Sequence, residues 1–210
     1  MRNKKPIFEP KLEPTSFQTK YDVYEYANAF LDCARFSIEK SALDNIALIN
    51  SSLVNASLSL EIYLKSLFLK REPHPYTLSK EDMDDISVCL DTERSRTQGI
   101  EATLWHSRLI LDKEKKTHSL YVLFTSSPKS FKYDVYNGIL NKENLKKPFK
   151  DNNDIDNFLK KISDSFVEKR YAFEDFFVSD LGDYNNARNL IEVIDSIVPI
   201  IIKFNKKNNE

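Results

Sequence analysis

The chain has 210 residues, 41% of them hydrophobic, with 14 Phe and 10 Tyr, enough for the core of one ordinary domain. Its 31 basic and 32 acidic residues leave a net charge of −1, which excludes a global field that would draw it onto nucleic acid and leaves only local patches for that purpose. Three glycines (Gly99, Gly138, Gly182) and two cysteines (Cys33, Cys89) exclude glycine-rich phosphate loops, a disulfide framework and a cysteine metal cluster.

Residues 1–18 hold three prolines and mixed charge, and read as an extended arm with no apolar stretch of the signal-peptide kind. A helix is predicted from about Thr19, where Thr19 and Asp22 have capping-box spacing, with Val23, Ala27, Phe30, Ala34 and Ile38 on its core stripe. A second helix is predicted to start after Asp44 and to run to about Arg71. It is apolar on more than one face: Ile46, Ile49, Leu53, Leu60, Leu64 and Leu67 stand beside Leu48, Val54 and Leu58, as expected of a central helix. Pro73 and Pro75 are expected to end it.

From there to about Lys116 the pattern predicts an irregular insertion. Residues 86–90 and 102–111 read equally as strands or as short helices. His74, between the two prolines, is expected in a loop, and His106 is assigned no role. Asp82, Asp84 and Asp85 lack the Ca²⁺-loop pattern and read as a solvated helix start. A short helix is predicted over Thr117–Phe124, a small one over Asp134–Leu140 and a long one over Asp154–Phe177. The last helix, Tyr184–Lys206, carries Ala187, Leu190, Ile194, Ile197, Ile201 and Phe204 on one side, and Pro199 predicts a kink or an early end. Four principal helices give an all-α antiparallel bundle, one domain over residues 19–206, with an irregular or partly β insertion at about 72–116. The longest apolar run, Ile197–Ile202, is too short to span a bilayer, so no membrane association and a cytoplasmic location are expected.

Two stripes carry charge where the pattern asks for apolar residues. One reads Val54, Leu58, Glu61, Lys65, Phe68; the other Ile155, Leu159, Ile162, Phe166, Arg170, Phe173, Phe177. Such placement is costly unless the charges pair or line a cleft. Glu61/Lys65 and Arg170/Glu174 have i, i+4 spacing, with Tyr171 beside Arg170, so each pair also reads as a plain intrahelical salt bridge. His118 opens the short helix, a position that projects into clefts, and reads as either a base or a local cap. The histidines have no zinc spacing, and no metal or cofactor is expected. Lys113–Lys116 and Lys146–Lys150 read as solvated basic faces.

Three blocks in order, Asn55–Phe68 (NASLSLEIYLKSLF), His118–Phe124 (HSLYVLF) and Phe166–Glu174 (FVEKRYAFE), resemble the HEPN superfamily over about residues 20–205. The resemblance implies a helical bundle, commonly a homodimer, with many members acting as metal-independent ribonucleases of bacterial toxin–antitoxin or phage-defence systems. Other members bind nucleotides or partner proteins. The nuclease members carry Arg, four to six residues, then His; here Arg170 is followed by YAFEDFF, without histidine. On this resemblance, His118 and Arg170 are the catalytic candidates, His118 taking the 2′-OH proton and Arg170 stabilising the crowded phosphorane. Glu61, Lys65, Tyr171 and Glu174 form the supporting polar cluster, and RNA, a nucleotide or an antitoxin is the implied partner. The same residues also fit a fixed polar core in a non-catalytic protein-interaction module.

Overall fold

In a computed structural model of the chain, the described residues are 20–41, 46–77, 103–170 and 181–207, with side chains undescribed at 46, 71–77, 103–108, 165–170 and 181–182. They form six α-helices and a two-stranded antiparallel sheet: α1 (Lys20–Lys40), α2 (Ile46–Lys65), β1 (Leu69–Thr77), β2 (Thr103–Leu111), α3 (Leu120–Thr125), α4 (Lys129–Leu140), α5 (Asn152–Arg170) and α6 (Leu181–Lys207). The helices fall in one compact unit, residues 20–69 and 111–210, and the sheet belongs mainly to a second, bounded at residues 70 and 110. The described residues are thus mostly helical with a small two-stranded sheet, in keeping with an all-α bundle that carries an irregular or partly β insertion. None of the described helices is long and apolar enough to cross a membrane.

α2 is central because it packs against α1, α3, α5 and α6, which is why apolar residues occur around most of its circumference. Leu53, Ala56, Leu60, Tyr63 and Leu64 are all fully buried. α1 and α2 run antiparallel: Ser52 Oγ donates to the Ala34 carbonyl at 2.8 Å, and eleven residues on, Tyr63 OH donates to Asn28 Oδ1. Small residues at Ala27, Ala34, Ser52, Ala56 and Ser59 let the two backbones approach closely, and such dense packing strengthens the dispersion attraction between them. α4 packs antiparallel on α6, where a Cβ on Gly138 would meet the flexible end of the Ile200 side chain, its Cδ1, at 3.0 Å.

Several boundaries differ from the sequence reading. α2 ends at Lys65 and passes through a 3₁₀ turn, Ser66–Phe68, into β1, so the chain leaves the helix well before the prolines. Pro73, His74 and Pro75 lie in a strand, not a loop. A two-stranded sheet consists only of edge strands, where a missing N–H is tolerated. Residues 102–111 resolve as strand over Thr103–Leu111, while 86–90 lie outside the described residues. α4 is longer than its predicted segment. α5 starts earlier than predicted, because Asp151 Oδ1 accepts from the Asn153 and Asp154 N–H groups and caps it. α6 continues through Pro199 to Lys207 without an early end. The N-terminal arm, Cys89, Asp82, Asp84 and Asp85 also lie outside the described residues.

Candidate functional site

Glu61 sits in the penultimate turn of α2, facing the segment that leads into α3. Its side chain is 6% exposed, a position a carboxylate occupies only with partners. Two are present. Lys65 Nζ, one turn further along the same helix, donates to Glu61 Oε1 at 2.6 Å. His118 Nδ1 lies 3.0 Å from Oε1 and 3.1 Å from Oε2. A carboxylate only accepts, so this contact places the proton on Nδ1, and the neutral ring then keeps its lone pair on Nε2. The His118 side chain is 56% exposed, in contrast to the carboxylate beneath it.

His118 does not open the helix. Ser119 is the N-cap, its hydroxyl accepting from the Val122 N–H at 3.3 Å, and α3 begins one residue later. The ring is therefore oriented by Glu61 and is not part of the helix end. The backbone that follows His118 is held at two points. Thr117 Oγ1 accepts from the Ser119 N–H at 3.1 Å, and Ser163 on α5 accepts from the Tyr121 N–H at 3.2 Å while donating to the Leu159 carbonyl at 2.7 Å. Ser163 is not marked by the charged stripes; its only sequence signal is a small polar residue one turn after Leu159, and it is buried on the core face of α5.

Beyond Lys65 the same strip continues to Phe68, with Lys115 Nζ 5.2 Å from the Phe68 ring centroid. Segments 61–68 and 115–118 thus lie side by side, with a carboxylate–imidazole contact at one end and a cation over an aromatic ring at the other. Of the predicted site residues, the structure brings together Glu61, Lys65 and His118. Arg170 is the last described residue of α5, and its side chain, together with Tyr171, Glu174 and the predicted continuation of the helix to Phe177, lies outside the described residues, as does any approach of Arg170 to His118. Among the described residues no group of three His, Cys, Asp or Glu side chains could hold a metal ion.

A second polar cluster lies at the same end of α2, and nothing in the predicted stripes marked it. Asn205 on α6 is 3% exposed; its Nδ2 donates to Tyr24 OH at 2.7 Å and to Ser66 Oγ at 3.1 Å, and its Oδ1 accepts from Lys20 Nζ at 2.9 Å. Ser66 Oγ in turn donates to the Tyr63 carbonyl at 2.6 Å. Burial raises the Tyr24 hydroxyl above its ordinary value, with the Asn205 and Ser66 hydrogen bonds opposing, and burial lowers the Lys20 amine. Its signal in sequence is an asparagine one turn after Ile201, on the buried face of α6.

Comparison with protein families, with curated proteins and with solved structures finds no match for this chain.

Proposed function

We propose that this is a HEPN-type protein directed at RNA or a nucleotide, acting as a metal-independent endoribonuclease in which His118 is the base. The observation that carries the reading is the contact between His118 Nδ1 and both oxygens of the buried Glu61 carboxylate. A carboxylate behind an imidazole sets the tautomer and aims the ring, and it stabilises the imidazolium formed when the ring takes a proton. Nε2 would take the proton of a ribose 2′-OH. Lys65, held on the same carboxylate, supplies positive charge next to the ring, and Arg170 would supply the cation at the phosphorane. Antitoxin or defence partnership and homodimer formation belong to the same reading.

The test is incubation of total RNA with the purified chain in the presence of chelator, beside His118→Ala, Glu61→Gln and Arg170→Ala. Cleavage is expected from the parent chain, with losses of about 100-fold or more for His118→Ala, the size of a general-base contribution. A second reading is favoured by one observation: Lys65 already answers the Glu61 charge from within α2, so the cluster is complete as structure without any substrate. On that reading the chain is a non-catalytic interaction module. RNA intact in every tube, with Glu61→Gln lowering only thermal stability, selects it.

A further inference from the structure

α1 presents one face to the bundle and a different chemistry to solvent. The inner face, Val23, Ala27, Leu31 and Ala34, is buried. On the outer side Tyr26, Ala29, Cys33 and Phe36 recur at spacings of 3, 4 and 3, and all four are exposed, Phe36 by 61%. Exposed apolar side chains aligned in a stripe mark an interaction surface, and aromatic rings are the side chains that anchor one. Beside the stripe runs a row of carboxylates, Glu25, Asp32 and Glu39, one per heptad and all exposed, the Asp32 side chain by 73%. The cations of α1 do not cancel this row. Lys20 is bonded to Asn205, Arg35 is divided between Asp32 and Asp195 on α6, and Lys40 Nζ lies 5.9 Å from the Phe36 ring centroid. Among the described residues neither Glu25 nor Glu39 is in a salt bridge.

We propose that the outer face of α1 docks a basic amphipathic helix of a different protein. The partner's apolar stripe lies on Tyr26, Ala29, Cys33 and Phe36, and its Lys or Arg residues, one per heptad, face Glu25, Asp32 and Glu39. Charge selects this occupant. Side chains that flank an apolar stripe set partner choice: a row that is acidic over three heptads repels a second copy of itself and attracts a helix that is basic at the same spacing. The small side chains of Ala29 and Cys33, between the rings of Tyr26 and Phe36, leave room in the middle of the stripe for a partner's large apolar residue. From Glu25 to Glu39 the row is about 21 Å long, enough to fix the partner's direction as well as its charge. One helix face buries less area than a permanent interface, so the association is transient, with a dissociation constant in the micromolar range. Docking at α1 makes no use of His118 or of RNA.

The test uses the full chain and a fluorescent synthetic peptide of about three heptads, with Leu at the a and d positions and Lys at e and g, beside the same peptide with Glu in place of Lys. Fluorescence anisotropy should show saturable binding of the Lys peptide, weakened about tenfold as salt rises from about 0.05 to 0.5 M, and no binding of the Glu peptide. Phe36→Ser, at an exposed position, should leave the far-ultraviolet circular dichroism unchanged and weaken binding about tenfold, through the loss of apolar contact. Glu25→Lys and Glu39→Lys in one chain should invert the preference, releasing the Lys peptide and capturing the Glu peptide. Absence of binding up to about 200 μM overturns the proposal. Binding of the Lys peptide that survives both variants places it on another acidic surface and overturns the proposal too. Sedimentation of the chain alone covers the remaining occupant: a dimer dissolved by Phe36→Ser would assign the stripe to a second copy and would equally overturn it.

Discussion

The two polar clusters at the end of α2 are built on opposite plans. Around Asn205 every group is neutral except Lys20, the central amide has partners on both its nitrogen and its oxygen, and it is 3% exposed. Around Glu61 a buried carboxylate faces two potential cations, one of which is an imidazole more than half in solvent. The first arrangement is closed and ties α1, α2 and α6 together. The second holds one titratable ring outward on a fixed support, which cohesion alone does not require. The difference teaches that burial of polarity is not by itself a sign of function; an open member on a buried anchor is the more telling feature.

Substitutions separate the two plans. Glu61→Ala should have the largest effect, a loss of about 3 kcal/mol in chemical denaturation, because Lys65 is left without its partner at a side-chain exposure of 19%. His118→Ala, at the same cluster, should change stability by no more than about 0.5 kcal/mol. A large stability loss for His118→Ala would merge the two clusters into one structural class. Asn205→Ala should cost about 2 kcal/mol, by stranding buried partners on α1 and on the turn after α2, and should leave any RNA cleavage intact.

Alkaline titration sharpens the same contrast on the α1–α2 side. Burial raises the Tyr63 hydroxyl from 10.0 to about 12. Below its unfolded value the hydroxyl is protonated in both states, so its contribution is fully present there and is lost as pH rises through about 12. Unfolding monitored between those limits should steepen, and Tyr63→Phe should remove part of that slope while losing the Asn28 bond. The smallest expected effect is a gain. Ser59 Oγ is buried without a hydrogen bond among the described residues, in the α1–α2 interface, so Ser59→Ala should stabilise by up to about 1 kcal/mol.

The bundle was legible wherever periodicity and burial coincide. Val23, Ala27 and Ala34, and Ile155, Leu159 and Ile162, are predicted core positions that are buried. Legibility failed where periodicity outlasts the helix. Leu67 and Phe68 continue the apolar spacing past Lys65, although the backbone has turned through a 3₁₀ segment toward β1. Pro73 and Pro75 suggested a helix stop because proline is excluded from helix interiors, yet it is equally at home on an edge strand. Glu61 and Lys65 stood out as charges in an apolar stripe. That His118, 57 residues away, closes on Glu61 is a tertiary fact with no local signal. Asn205 and Ser163 were passed over because a small or neutral polar residue breaks a stripe less visibly than a charge does.

Detection of the His118 ring nitrogens by ¹⁵N NMR, in the parent chain and in Glu61→Gln, tests the central claim most directly. An Nδ1–H tautomer in the parent chain, lost or diminished when the carboxylate becomes an amide, is the predicted result. A ring protonated on Nε2 in both proteins would contradict the account, since the carboxylate would then not be holding the imidazole with its basic nitrogen outward.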